Sequence, residues 1–113
     1  MICTDGIILF AEKRSFSKLV ERLTDTEKIH RLDKNIAVAV AGINSDANKL
    51  IEHARVQGQR FLYTYQHLPP VEYIVQQICS VKQSYTQFGG LRPFGVSFLL
   101  GMSSSYHLFT RLY

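Results

Sequence analysis

Four histidines, two cysteines and one glycine pair are the positions most able to do chemistry in this chain. His30, His53, His67 and His107 fall in four separate predicted elements, which suits packed or surface imidazoles better than a shared ligand set or a general base. Cys3 and Cys79 stand in no CxxC and no Cys/His ligand spacing, so neither a metal centre nor a disulfide framework is expected and both thiols read as free. Gly89-Gly90 has the form of half a phosphate loop. Arg92-Pro93 and an apolar strand follow it, however, where phosphate cradling needs a helix N-terminus. There is no GxSxG, HExxH or Walker loop, and no activated nucleophile is visible. Lys28, between Glu27 and Ile29, reads from its neighbours alone as a strand-end cation paired on the surface with Glu27 or Asp33.

Composition narrows the remaining classes. The chain has 113 residues, 46% of them apolar and 19% charged, which fits one modest α+β domain. Thirteen Lys and Arg face nine Asp and Glu, a net charge of +4. The excess comes from missing acids in the second half, where Glu72 is the last, and no cationic run exceeds Lys13-Arg14. A nucleic-acid footprint is therefore not expected. The 13 aromatic residues fall mainly on apolar stripes and strands, which points to core packing over base stacking. The longest apolar windows, Ile36 to Ile43 and Pro93 to Met102, are far shorter than the ~20 residues of a membrane helix, and no secretory signal opens the chain, so a soluble intracellular protein is expected.

The elements that would position these residues follow from period and punctuation. Asp5-Gly6 predicts a hairpin turn into a strand over 6–11, and 12–25 reads as a surface loop. Glu27 to Leu32 alternates, Asp33-Lys34-Asn35 turns, and Ile36 to Gly42 runs apolar, a second hairpin whose later strand is expected to be buried on both faces. Asn44 or Ser45 is expected to cap a helix, with Asp46 favourably placed at its positive end. Ala47, Leu50, Ile51, Ala54, Gly58, Phe61, Leu62 and Tyr65 form its apolar stripe. His67-Leu68-Pro69-Pro70 ends it, and Pro70 opens a second helix with the stripe Val71, Ile74, Val75, Ile78, Val81 and Tyr85. A turn at Arg92-Pro93-Phe94-Gly95, a strand over 96–100, a serine turn at 103–105 and a strand over 106–113 complete the order. The two helices are expected to pack antiparallel and to cover one sheet face. Arg92, held extended by Pro93, is expected to tie its turn to nearby carbonyls or a carboxylate, with Gly95 admitting a close backbone neighbour.

One string goes beyond what composition explains. Lys82-Gln83-Ser84-Tyr85-Thr86-Gln87-Phe88-Gly89-Gly90-Leu91-Arg92-Pro93-Phe94-Gly95, running into Val96-Ser97-Phe98-Leu99, resembles the helix-end, glycine-turn and strand signature of the alpha-type subunits of the 20S proteasome. Val40-Ala41-Gly42-Ile43-Asn44-Ser45-Asp46-Ala47-Asn48, Ala54 to Arg60, Asp5 to Glu12 and Glu27-Lys28-Ile29 resemble the same family in the same order. Tyr85 to Gly90 together with Ser45 to Asn48 most resembles the third alpha type of the eukaryotic ring.

The resemblance implies an N-terminal-nucleophile-hydrolase-like αββα sandwich, with this chain as about its first half, cut at both ends. The family's gating helix and Tyr-Asp-Arg motif would precede Met1, and further strands and helices would follow Tyr113. It implies a non-catalytic part of an outer heteroheptameric ring that supports ubiquitin-dependent degradation in cytoplasm and nucleus. Its partners would be other alpha and beta subunits, with activators or assembly chaperones, and neither nucleic acid nor membrane. No cofactor is implied. The related beta subunits use an N-terminal threonine assisted by Asp and Lys. Here Glu12 occupies the Asp position, Lys28 the Lys position, and the nucleophile's place falls before Met1; Thr4 lies elsewhere, beside Asp5-Gly6. By the same resemblance Lys28 and the backbone at Gly42 line a pocket that receives an activator's C-terminal carboxylate. Tyr85, Gln87, Gly89, Gly90, Arg92, Pro93 and Gly95 are implied to be structural signature residues. The alternative is a fragment that only binds alpha subunits or chaperones and has no place in a ring.

Overall fold

The structure is a computed structural model and describes residues 1–3, 6–13, 19, 27–103 and, as backbone, 108–112. Thr4, Asp5, most of the 12–25 loop, His107 and the serine turn beyond Ser103 lie outside the described residues.

Strand β1 (Ile29–Arg31) and strand β2 (Ile36–Gly42) form the expected hairpin, with Ile29 opposite Ala39. Its turn is closed by the Leu32 and Asp33 N–H groups, which both donate to the Ile36 carbonyl at 3.0 and 3.2 Å. The Lys34 N–H donates to Asp33 Oδ1 at 2.7 Å, the local bond that suits Asp to turns. Helix α1 (Asn44–Tyr65) and helix α2 (Val71–Gln87) follow, then strand β3 (Val96–Ser103) and strand β4 (Leu108–Leu112). The sheet is antiparallel throughout, in the order β1-β2-β3-β4, with Ile36 opposite Met102 and Gly42 opposite Val96.

Strand period decides where the core sits. Ile36, Val38 and Val40 of β2 and Val96, Phe98, Leu100 and Met102 of β3 point to one face and are buried. Above them lie Ala47, Leu50, Ile51 and Ala54 of α1 and Val71, Ile74, Val75 and Ile78 of α2. Truncating a side chain such as Leu50, about 1% exposed, to Ala costs about 2–5 kcal/mol because the close-packed site cannot collapse fully. At Gly58 an added Cβ would stand 3.8 Å from Ile74 and 3.9 Å from Pro69, so the missing side chain brings α1 close to the start of α2. The rings of Phe61 and Tyr73 are 4.7 Å apart, which pairs the end of α1 with the start of α2, as an antiparallel helical pair requires. One helical layer on one sheet is one half of an αββα sandwich.

Several expectations need correction. β2 is buried on one face only: Ala37 and Ala39 are half-buried and Ala41 is exposed, because both helices pack on the opposite face. The expected strand over 6–11 shrinks to one bridge between Ile2 and Ile7, flanked by Ile8 N–H to Met1 O at 2.9 Å and Cys3 N–H to Gly6 O at 2.8 Å. Ile7 and Leu9 turn onto the sheet instead, against Gly101. β3 runs three residues beyond its expected end, since Met102 is still buried and the Ser103 N–H donates to Asn35 O at 3.1 Å. The N-cap of α1 is Ile43, and no side chain caps it; neither Asn44 nor Ser45 takes that position. Pro70 is the N-cap of α2 and lies just outside it, with a backbone (φ −69°, ψ 152°) that is extended. Tyr65 ends the apolar stripe exposed.

Candidate functional site at one end of the sheet

β1 begins, β2 ends, α1 begins, α2 ends and β3 begins at the same end of the molecule. The Lys28 carbonyl accepts the Val40 N–H at 2.7 Å, so Lys28 stands beside β2 two residues before Gly42. Gly42 pairs with Val96, the residue after the Arg92–Gly95 turn. The end of α2 is tied to the same place: Lys82 Nζ donates to the Val96 carbonyl at 3.1 Å, and the Tyr85 ring lies 4.6 Å from that of Phe94. Residues from three separate stretches of sequence therefore meet here.

The meeting is backbone against backbone. Gly42 has φ +118°, a conformation side chains rarely adopt, and a Cβ there would collide with the Gly95 carbonyl oxygen and stand 3.1 Å from Val96 Cα. Gly95 is less closed: its Cβ would lie 2.8 Å from Cδ1 at the tip of the exposed Ile43 side chain, which can move aside. The Ile43 N–H donates to the Gly95 carbonyl at 2.9 Å. On its other side the Gly95 N–H donates to Asp46 Oδ2 at 3.2 Å.

Asp46 is the centre of this arrangement. Its two carboxylate oxygens take a two-pronged contact from Arg92, with Nη1 at 2.7 Å from Oδ2 and Nη2 at 2.8 Å from Oδ1. Arg92 Nη1 also donates to the Pro93 carbonyl at 3.2 Å. The Asp46 side chain is only 10% exposed whereas that of Arg92 is 65% exposed, so the pair is a half-open clamp. The Arg92 hydrogen bonds, then the Gly95 N–H, hold the Asp46 carboxyl below its usual range against the opposing effect of burial, and the same contact raises Arg92. Helix-dipole placement alone missed this role. The legible signal is that Asp46 precedes Leu50, Ala54 and Gly58 at four-residue steps, which puts a carboxylate on the apolar stripe and calls for a cation.

The other sequence-predicted positions separate by role. Gly90 (φ +85°) makes the left-handed turn after α2, whereas Gly89 has open space around it. Gln87, the last residue of α2, and Pro93 are exposed. Lys28 is half-buried and lines a cleft of about 290 Å³ with Ala11, Glu12, Lys13, Glu27 and Ile29. Gly42 is not in that lining. Glu27 pairs with Lys13 at 3.8 Å, and among the described residues the Lys28 ammonium has no ion pair, with Glu27, Asp33 or any other. No group of His, Cys, Asp and Glu among the described residues could hold a metal ion, and no described helix is long and apolar enough to cross a membrane.

Comparison with known proteins bears on what this end of the molecule is. The family model described as proteasome subunit matches residues 1–110. Proteasome subunit alpha type-4 of Spinacia oleracea is 57% identical over 99 residues, 88% of this chain and 40% of that protein. Proteasome subunit alpha type-4-A of Arabidopsis thaliana is 52% identical over 109 residues, 96% of this chain and 44% of that protein. Proteasome subunit alpha type-4 of Dictyostelium discoideum is 55% identical over 100 residues, 88% of this chain and 40% of that protein. The chain thus spans about two-fifths of the length of these curated relatives. A family match over nearly the whole chain, together with a signature turn locked as described, has one reading: the chain belongs to the proteasome subunit family.

Proposed function

We propose that this chain is a non-catalytic component of the outer alpha ring of the proteasome core, which supports ubiquitin-dependent degradation through contacts with neighbouring alpha and beta subunits and through activator docking. The observation that carries the reading is the convergence of Lys28, Gly42 and the Arg92–Gly95 turn on one sheet end, in a chain whose relatives are named alpha subunits. Lys28, half-buried at a cleft and with no ion pair among the described residues, suits a terminal carboxylate, the charge-assisted contact an activator tail would make. Gly42 supplies backbone to the neighbouring wall. Catalysis belongs to other chains in this reading, and Thr4→Ala leaves the ring's hydrolysis of fluorogenic peptides unchanged. The cytoplasm and the nucleus are its compartments, and imaging of a tagged chain tests that.

Co-expression of the tagged chain with the remaining alpha subunits, read by native mass spectrometry, is the test. The expected result is its mass in a ring or ring intermediate; its absence from every such species would sink the proposal. A second reading is favoured by the open Ala37, Ala39 and Ala41 face: a module that binds alpha subunits or assembly chaperones without entering a ring. The same spectra separate the two, since that reading gives only small complexes and never a ring.

A further inference from the structure

We propose that Asp46 and Arg92 are positioning residues for the docking site, acting through the backbone of Gly95 on Gly42, which stands beside the Lys28 cleft and outside its lining; this rests on the reading of Lys28 and Gly42 as activator-docking residues. Neither side chain needs to touch the activator. The contact path is continuous and short. Arg92 grips both oxygens of Asp46 at 2.7 and 2.8 Å, and Asp46 Oδ2 takes the Gly95 N–H at 3.2 Å. The Gly95 carbonyl in turn takes the Ile43 N–H at 2.9 Å and lies against Gly42 with no room for a Cβ between them.

The path ends in backbone: the Gly95 N–H and carbonyl link Asp46 to Ile43 and Gly42, so a shift of the carboxylate moves main chain. Asp46 belongs to the first turn of α1 and Gly95 to the approach of β3, so the carboxylate fixes how helix and strand meet. Gly42 has φ +118°, which glycine adopts freely, so its place is set by the backbone packed against it. Loss of the two-pronged Arg92 grip would let Asp46 turn, release the Gly95 N–H and widen the Gly42–Gly95 approach. A lysine at position 92 keeps the charge but supplies one point contact in place of the planar fork.

The test uses assembled proteasome core particles containing the full chain, with a synthetic peptide bearing a free C-terminal carboxylate as probe and its amidated twin as control. Arg92→Lys is the primary variant because its exposed side chain spares the core, and Asp46→Asn is the second. Both are expected to weaken binding of the carboxylate peptide by about tenfold while the particle still assembles. Lys28→Ala separates the two levels of the proposal. If Lys28→Ala weakens the peptide and neither clamp variant does, the positioning role is wrong and the docking reading stands. If Lys28→Ala has no effect, or amidated and free peptides bind alike, the docking reading fails and the positioning role fails with it. A fall in thermal stability with unchanged peptide affinity in Arg92→Lys marks the clamp as merely structural and overturns the proposal.

Discussion

The two ends of the sheet are held by different physics. At the end where β2 meets β3's start, the contacts are a carboxylate–guanidinium clamp, a backbone N–H on that carboxylate and two glycines in close approach. At the opposite end, where the Asp33–Asn35 turn faces Leu68 and Pro69, rings and apolar surface dominate. Phe61 stacks at 4.5 Å from Tyr65, 5.2 Å from His67 and 4.7 Å from Tyr73, and Pro69 is fully buried. The polar accounts differ too: Asp46 uses both its oxygens, whereas Asp33 Oδ2 and Asn35 Oδ1 are buried without a donor. Arg55 still serves the second end, with Nε and Nη2 on the Arg31 carbonyl at 3.1 and 2.9 Å. One end is thus specified by direction and charge, the other mostly by volume.

That contrast can be broken by substitution, beginning with the largest effect. Gly42→Ala places a methyl against backbone atoms that cannot yield and is expected to cost about 3 kcal/mol, read as a lowered denaturation midpoint. A loss below about 1 kcal/mol would mean that the glycine end has slack and the contrast is false. Next, Phe61→Ala at the ring end is expected to cost about 2 kcal/mol, because this half-buried ring is the hub of the cluster. Phe61→Leu should recover most of that, and if it recovers none the ring geometry matters more than volume.

The third effect depends on pH. Asp46 has its carboxyl lowered in the folded chain from an ordinary value of 3.8, so its contribution is present above that value and is lost as pH falls through the lowered one. The stability gap between the parent chain and Asp46→Asn is therefore expected to be full at pH 7 and to narrow progressively in acid below about pH 4, measured by urea unfolding. A gap that stays constant from pH 7 to strongly acid solution would remove the carboxylate from the account. The smallest effect is Ser45→Ala, expected to change stability by less than about 0.5 kcal/mol, since no side chain caps α1. A loss near 1 kcal/mol in the same unfolding series would restore Ser45 as a cap.

Local chemistry made much of this legible in the sequence. The turn chemistry of Asp33-Lys34-Asn35 and the stripes of α1 and α2 depend on neighbours within a few residues, and those elements stand where the periodicity puts them. The helix start is ambiguous in the sequence because Asn, Ser and Asp in a row all look like caps, and only the fold shows that Asp46 is engaged by a residue 46 positions away. Alanines misled at β2, since an apolar run does not say whether anything stands opposite. At the candidate site, Arg92 and Gly95 were legible through Pro93 and the glycine itself. Their partners Asp46, Ile43 and Gly42 come together only through the antiparallel pairing of β2 with β3, which no spacing rule encodes.

The sheet face away from the helices is uneven: Ala37, Ala39 and Ala41 form its middle row, with Ile29 and Leu99 flanking Ala39, Ser97 opposite Ala41, and Gly101 opposite Ala37 under Ile7 and Leu9. Stacked sheets ordinarily sit about 10 Å apart because both sides contribute bulky side chains. Here the alanine row is a shallow trough between larger neighbours, Ile29 on β1 and Leu99 on β3. A covering layer therefore has to place its own large residues along the trough and smaller ones over its rims.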